Sequence, residues 1–284
     1  MRRARRRRPD GLIGFRTLRA PHSSWYPSMV LDLSGVRALV TGGTRGIGRA
    51  ITDALAASGA RVAANYRGNN DAADVFAREL GERNFEHMML RADVTQERAV
   101  GTMMKRIEES WGGLDLVVLN AGIWERGPIG TMTLAEWRET ININLTGAFV
   151  VVSEAMRLLG AGDGGAPKRI IFISSTAGQR GEAFYSHYAA SKGALISLTK
   201  SLAVELAPQG ITVNCVAPGW VRTEMTEGAL SENATRKEIV RSVPLGRVGE
   251  PEEIASAVVY LASRQASYIT GEILNVNGGS VLCG

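Results

Sequence analysis

Three residues offer chemistry before any other: Ser175, Tyr188 and Lys192, the last two within Tyr-Ala-Ala-Ser-Lys. A tyrosine and a lysine four residues apart share one face of a helix, about one turn from each other. An ammonium held beside a phenol favours the phenolate and pulls a pKa of about 10 towards the working range of a proton donor. Such pairs arise by chance in many helices and are usually solvated, so a second signal is needed. It lies upstream, in Thr41-Gly42-Gly43-Thr44-Arg45-Gly46-Ile47-Gly48. This stretch follows the apolar run Val36-Arg37-Ala38-Leu39-Val40 and precedes Arg49 to Ser58, where Ile51, Ala54 and Leu55 recur at helical spacing. Strand, glycine turn and helix together make a dinucleotide site. The glycines permit a tight turn and close backbone approach to a pyrophosphate, and the helix N-terminus offers free amides. The spacing of Gly42, Gly46 and Gly48 is Gly-x-x-x-Gly-x-Gly rather than the commoner Gly-x-Gly-x-x-Gly.

With these motifs, the chain from about Val36 to Gly279 resembles the short-chain dehydrogenase/reductase family. Further segments carry the resemblance in order: Asp93-Val94, Asn120-Ala121-Gly122, Asn144 within Ile-Asn-Leu-Thr-Gly, Ser175, Tyr188 with Lys192, and Pro218-Gly219 with Thr223. Among subgroups it is most similar to the bacterial 3-oxoacyl-(acyl-carrier-protein) reductases, through Asn214-Cys215-Val216-Ala217-Pro218-Gly219 and Tyr268-Ile269-Thr270-Gly271-Glu272 on to Asn277-Gly278-Gly279. The resemblance implies Asn144, Ser175, Tyr188 and Lys192 as catalytic residues. Tyr188 would give a proton to the substrate oxygen as hydride reaches the carbonyl carbon, with the Ser175 hydroxyl donating to the same oxygen. Lys192 would lower the tyrosine pKa and hold the nicotinamide ribose, and Asn144 would hold a water linking Lys192 to solvent. It implies cofactor contacts at Gly42, Thr44, Arg45, Gly46, Ile47, Gly48, Tyr66, Arg67, Asp93, Val94, Asn120, Ala121, Gly122, Tyr188, Lys192, Pro218, Gly219, Val221 and Thr223. Among these, Asp93 would accept from the adenine amino group, or simply sit as an acid at a helix N-terminus, and Thr223 would bind the carboxamide.

The choice of cofactor has its own argument. An enzyme for NAD wants a carboxylate after the second strand. That strand reads Arg61-Val62-Ala63-Ala64-Asn65-Tyr66-Arg67, with Tyr66 where the acid would stand and Arg67 next to it. Arg45 supplies a second guanidinium, and two forked donors suit a 2′-phosphate. NADP(H) is therefore expected. No cluster of cysteine and histidine has metal-ligand spacing, so no metal is expected.

Alternating apolar periodicities set the elements that position these residues. Strands are predicted near 36–41, 61–66, 86–91, 114–119, 168–174, 211–216 and 273–277. Helices are predicted near 46–58, 70–81, 95–111, 133–159, 187–207 and 251–263, with a less regular helical stretch over 224–242. Such alternation predicts an α/β fold, a single Rossmann-like doubly wound parallel sheet of about seven strands with helices on both faces. Ligands in such sheets sit beyond the carboxyl ends of the strands, where Asn120, Ser175 and Pro218 are predicted to converge.

The chain has 284 residues, 45% of them apolar and 21% charged, which fits one large domain with a substantial core. No apolar run reaches membrane length. Two cysteines, Cys215 and Cys283, provide no disulfide framework, and a cytoplasmic location is expected. The net charge of +5 belongs to residues 1–28, which hold eight arginines against Asp10 and leave 25 basic and 27 acidic residues in the remainder. This arginine-rich extension is expected to be disordered or to precede the natural start at Met29, with targeting or anion binding as the other reading. Residues 29–284 are expected to form the NADP-binding domain. No nucleic-acid or membrane partner is expected.

The substrate is less legible. A 3-oxoacyl thioester is expected, with acyl-carrier protein as a candidate partner. The alternatives are a small alcohol, sugar or secondary metabolite, or a nucleotide-binding subunit without turnover. Trp124, Glu182, Phe184, Tyr185, His187 and Trp220 are candidates for the pocket lining, each equally readable as packing. Arg157, Lys168 and Arg169 read as a solvated face or a basic patch. Residues from Arg222 onwards are expected to open a mobile lid with a polar crest from Ser231 to Glu238. A homotetramer is the assembly that the resemblance implies.

Overall fold

The computed structural model describes residues 31–159 and 166–283; the arginine-rich segment and its suggested start at Met29 lie outside these. Seven strands form one parallel sheet: β1 (Arg37–Val40), β2 (Arg61–Tyr66), β3 (His87–Arg91), β4 (Leu116–Leu119), β5 (Lys168–Ile173), β6 (Ile211–Pro218) and β7 (Ile273–Val276). Their spatial order is β3-β2-β1-β4-β5-β6-β7. The chain therefore winds outward from β1 in one direction and restarts at β4 in the other, opening a crevice between β1 and β4. All seven predicted strands are present within a few residues of their expected bounds.

Strand pleating decides which helix each side chain meets. Leu39, Val117, Leu119, Ile170 and Phe172 enter one buried cluster; Ala38, Val40, Leu116, Val118, Ile171 and Ile173 enter the other. The first cluster is closed by α3 (Glu97–Trp111), α5 (Gly147–Leu159) and α7 (Ser186–Leu206), through Val100, Met104, Val151 and Leu195. The second is closed by α1 (Gly46–Ala57), α2 (Asn70–Glu82) and α10 (Pro251–Ala262), through Ile51, Leu55, Phe76, Ile254 and Val258. Burial on both faces is why these strands read as unbroken apolar runs.

Three departures from the expected elements bear on the site. The single helix predicted over 133–159 is instead α4 (Leu134–Ile141), a π-helical stretch (Asn142–Thr146) and α5. One extra residue in a turn re-aims side chains, and such bulges concentrate at functional sites. A short helix, α6 (Thr176–Arg180), stands where no element was predicted. The stretch expected over 224–242 resolves into α8 (Glu224–Ser231) and α9 (Asn233–Ser242).

The basic patch is not formed. Arg157 pairs with Glu108 on α3, Lys168 reaches Asp115 at 2.6 Å, and Arg169 is buried. Arg157 and Glu108 do lie on a solvated face, whereas Lys168 and Arg37 cover the buried Asp115.

Candidate active site

The glycine turn is stapled to β4 by Thr41. Its hydroxyl accepts from the amides of Asn120 (2.9 Å) and Ala121 (3.1 Å). The Asn120 amide group in turn donates to the carbonyls of Thr41 (3.0 Å) and Gly42 (3.2 Å). A Cβ on Gly48 would lie 2.1 Å from the Gly42 oxygen and 2.4 Å from Asn120 Nδ2, so no other residue fits there. Gly42 and Gly46 have φ of 62° and 52°, a region that favours glycine. Buried Thr44 sits inside the turn, and Ile47 packs on the sheet side of α1. Asn65, buried in β2, ties the turn to β3: its amide donates to the carbonyls of Leu90 and Ala92, while the Gly43 amide donates to its backbone carbonyl at 2.8 Å.

A dinucleotide fits this cradle. Helix α1 begins with Arg45 in extended conformation, has no side-chain cap and carries no acid in its first turn. Its amides and positive end thus remain available to an anion. Tyr66 is half-buried at the end of β2, and Arg67 is exposed just beyond it. Arg91 supports that corner, its Nε donating to the Arg67 carbonyl at 3.3 Å. Arg45 is exposed and lies 3.4 Å from Glu224 at the start of α8. Asp93 accepts from the amide (2.9 Å) and hydroxyl (2.8 Å) of Thr95, and Val94 packs against Gly147 of α5.

The second half of the site hangs on α7. Tyr188 is half-buried one turn before buried Lys192. The expectation that the lysine lowers the tyrosine pKa meets an opposing effect. Burial pushes the Tyr188 phenol up to about 12, against a downward pull from its hydrogen bond with Ser175, and the Glu182 charge adds to the rise. Lys192 Nζ lies 5.8 Å from the centre of the Tyr188 ring and donates to the Ile173 carbonyl at 2.8 Å. A shared helix face therefore did not bring the ammonium to the phenol oxygen; it reaches down to the end of β5. Burial takes Lys192 itself down to about 8, opposed by the Cys215 thiol.

Ser175 caps α6, accepting from the Ala177 amide at 3.1 Å. Its neighbour Ser174 instead donates to the Lys192 carbonyl at 2.8 Å. Gly178 of α6 lies against the Lys192 backbone, where a Cβ would meet the carbonyl carbon at 2.6 Å. Asn144 is fully buried in the π-helical stretch, whereas Asn142 is exposed. Its oxygen accepts from the Ile123 amide (2.8 Å), and its amide donates to the Ile123 carbonyl (3.0 Å) and to Ser191 Oγ (3.1 Å). It therefore braces the loop after β4 against α7. A Cβ on Gly122 would stand 3.2 Å from Asn144 Oδ1 and 3.4 Å from Lys192 Nζ.

The remaining predicted residues close the crevice from the β6 side. Pro218 ends β6 opposite Val276, and Gly219 lies so close to Asn277 that a Cβ would come within 2.9 Å. Buried Val221 bridges Gly249, and Thr223 opens α8 in a capping box with Thr226. Thr223 also meets the glycine turn, 3.6 Å from a Cβ built on Gly46. The start of α8 thus rests on the glycine turn.

Of the pocket candidates, Trp124, Glu182, Tyr185 and Trp220 come together, whereas His187 is buried beneath Gly127 and Met132. Thr41, Asn65, Arg91, Ser174 and Gly178 were missed, because their roles come from partners distant in sequence.

Similarity to known proteins agrees with this geometry. Residues 42–280 match a family model described as enoyl-(acyl carrier protein) reductase. The acetoacetyl-CoA reductase of Rhizobium meliloti strain 1021 is 43% identical over 245 residues, covering 85% of this chain and 97% of that protein. The 3-oxoacyl-(acyl-carrier-protein) reductase FabG of Escherichia coli K12 is 43% identical over 249 residues, covering 88% of this chain and 98% of that protein. A crystal structure titled short-chain dehydrogenase/reductase SDR: glucose/ribitol dehydrogenase, from Brucella melitensis, superposes with a TM-score of 0.82 at 35% identity, covering 89% of this chain and 99% of that one. Fold, cradle and relatives together establish that the chain belongs to the short-chain dehydrogenase/reductase family, oxidoreductases that use a nicotinamide dinucleotide on carbonyl and alcohol groups.

Proposed function

We propose that this protein is an NADPH-dependent reductase of 3-oxoacyl thioesters. The observation that carries the reading is Tyr188 on α7, one turn before buried Lys192, which the β5–α6 corner bearing Ser175 holds through the Ile173 carbonyl and Ser174. A neutral phenol is a proton donor, which suits reduction of a carbonyl. When bound, the reduced nicotinamide supplies the hydride. Tyr188 then gives its proton to the carbonyl oxygen, and Ser175 donates a hydrogen bond to the same oxygen as charge grows there. Lys192 would meet the ribose hydroxyls of the bound cofactor. Asn144 keeps the Ile123 loop and α7 at a fixed separation, and Thr223 meets the carboxamide.

Arg45 and Arg67 support NADPH over NADH, being two exposed guanidiniums at the ends of β1 and β2 with no carboxylate at Tyr66. The thioester is supported by the names of the relatives, which act on acetoacetyl-CoA or on acyl-carrier-protein substrates. An acyl-carrier protein as partner, a homotetramer and a cytoplasmic location complete the reading, with the arginine-rich first 28 residues as an extension outside the catalytic domain. A second reading, a sugar or polyol dehydrogenase, draws on structural neighbours titled glucose/ribitol dehydrogenase and putative gluconate dehydrogenase, at 35% and 31% identity.

NADPH absorbance followed with an acetoacetyl thioester, alongside NADH and a panel of sugars and small ketones, tests the proposal. Fast NADPH-dependent loss with the thioester is the expected result. Loss only with sugars or other ketones would replace it with the second reading.

A further inference from the structure

Two short segments meet beside the cofactor cradle. Arg45 and Gly46 belong to the glycine turn at the start of α1, and Thr223 and Glu224 to the start of α8. A Cβ on Gly46 would lie 3.6 Å from the Thr223 side chain, and Arg45 Nη1 lies 3.4 Å from Glu224 Oε2. Among the described residues this is the only ion pair that either side chain makes. Arg67, the other guanidinium at this edge, has no carboxylate partner among the described residues. One of the two arginines is thus already engaged, by an acid from a different part of the chain.

The engagement is loose. The side chains of Arg45 and Glu224 are 64% and 67% exposed, and their separation exceeds the roughly 2.7–2.9 Å of a close charge-assisted hydrogen bond. Water and salt screen such a pair, so it shifts an equilibrium only a few-fold. A phosphate monoester brings close to two charges and three acceptor oxygens, and the planar fork of a guanidinium matches it. A 2′-phosphate would therefore take Arg45 from Glu224, whereas a cofactor with a free ribose hydroxyl would leave the pair in place. A neighbouring pair behaves differently. Arg222 lies 3.1 Å from Glu250 and ties the same stretch to the start of α10, with no residue of the glycine turn involved.

We propose that Glu224 is a specificity-determining residue of the cofactor site, a carboxylate on α8 that competes with the 2′-phosphate for Arg45. NADPH has to displace this carboxylate and NADH does not. Glu224 therefore narrows the preference for NADPH that Arg45 and Arg67 create. The inference rests on the NADPH reading above and assigns the residue that opposes it.

The test titrates NADPH and NADH separately into the full chain, following cofactor fluorescence, and compares dissociation constants. The variants are Glu224→Gln, Arg45→Gln, the two combined, and Glu250→Gln. All four side-chain changes lie at exposed positions, away from the core. Glu224→Gln should tighten NADPH about two- to fivefold and NADH by clearly less. With Arg45 already replaced, the same change should alter NADPH affinity by less than about 1.5-fold, because the partner through which it acts is gone. Glu250→Gln removes the same charge from the neighbouring pair and should leave the ratio of the two cofactors unchanged. An equal gain for NADPH with and without Arg45, or an equal gain from Glu250→Gln, would overturn the inference in favour of a general effect of charge. If Arg45→Gln weakens NADPH while Glu224→Gln changes nothing, the inference falls and the NADPH reading stands. If Arg45→Gln leaves NADPH affinity untouched, Arg45 is no phosphate ligand and the inference falls with it. A native chain without preference for NADPH counts against the reading above. In that case a preference created by Glu224→Gln would support the inference, and its absence would overturn it.

Discussion

Lys192 makes a sharp stability prediction, because it titrates inside an accessible pH window. It is 5% exposed, and burial holds its pKa at about 8 against 10.5 for an ordinary lysine. Between these values the unfolded chain binds a proton that the native protein has released, so stability rises with pH. Below pH 8 both states carry the proton and the native protein bears the full desolvation penalty of the ammonium. Carrying the titration from pH 7 to pH 9 around a native pKa of about 8 gives a gain of about 1.3 kcal/mol. For a domain of this size that is a rise in Tm of about 3–5 °C. Other groups titrate as well, Cys215 among them with its thiol pushed up to about 11, so the quantity to measure is a difference. Lys192→Met keeps the length and removes the titration. Calorimetric Tm values for native and Lys192→Met proteins, without cofactor, should show the native protein gaining on the variant by about that amount between pH 7 and pH 9. A flat difference, or one that moves the other way, refutes the reasoning that burial rather than a neighbouring charge governs this lysine.

Gly178→Ala would press a Cβ to 2.6 Å from the Lys192 carbonyl carbon and force α6 and α7 apart. It should lower stability by about 1–3 kcal/mol and kcat by about a hundredfold, whereas Gly228→Ala, which meets nothing within 4 Å, should leave activity intact. Thr41→Val would strip the acceptor from the amides of Asn120 and Ala121, at about 1–3 kcal/mol for each buried donor left unpaired. Urea unfolding should show that loss, and Thr41→Ser should restore stability. Tyr188→Phe should reduce kcat by about 10²- to 10⁴-fold while fluorescence titration shows unaltered NADPH affinity. Arg67→Ala should raise the KM for NADPH and leave that for NADH in place, and equal effects on both would remove it from 2′-phosphate recognition.

What was legible in the sequence depended on whether its signal was local. The seven strands could be read because each is buried on both faces and shows as an apolar run. The glycine turn could be read because spacing alone betrays its geometry. The break in the helix predicted over 133–159 could not, since a π turn adds one residue without disturbing the apolar stripe on either side. Helix α6 was missed because five residues carry no periodicity, and it exists because Ser175 caps it and Gly178 lets it lie on α7. Thr41 and Ser174 look like any strand-end hydroxyls; only the register of β1 with β4 and the depth of α7 give them partners. The opposing effect of burial on the tyrosine was also invisible in the spacing. Spacing along a helix fixes a face, whereas the ammonium went to a carbonyl contributed by another element.

These contacts also separate the support of Lys192 from the aromatic loops around it. Lys192 is held by three consecutive features of the β5–α6 corner: the Ile173 carbonyl, the Ser174 hydroxyl and the Gly178 backbone. Ser175 belongs to that same corner, so one corner holds both the serine and the lysine, with Tyr188 one helical turn away on α7. Asn144 locks this unit to the loop after β4 through Ile123 and Ser191. Trp124, Glu182 and Trp220 lie on the open side of the frame, on loops that contribute none of these bonds to Lys192. Substitutions of side chains on those loops leave the bonds to Lys192 untouched. The contacts that hold Lys192 are therefore distinct from those among Trp124, Glu182 and Trp220. Substitutions at Trp124 or Glu182 should alter the ranking of substrates, and those at Ser174 or Gly178 should depress turnover of all of them alike.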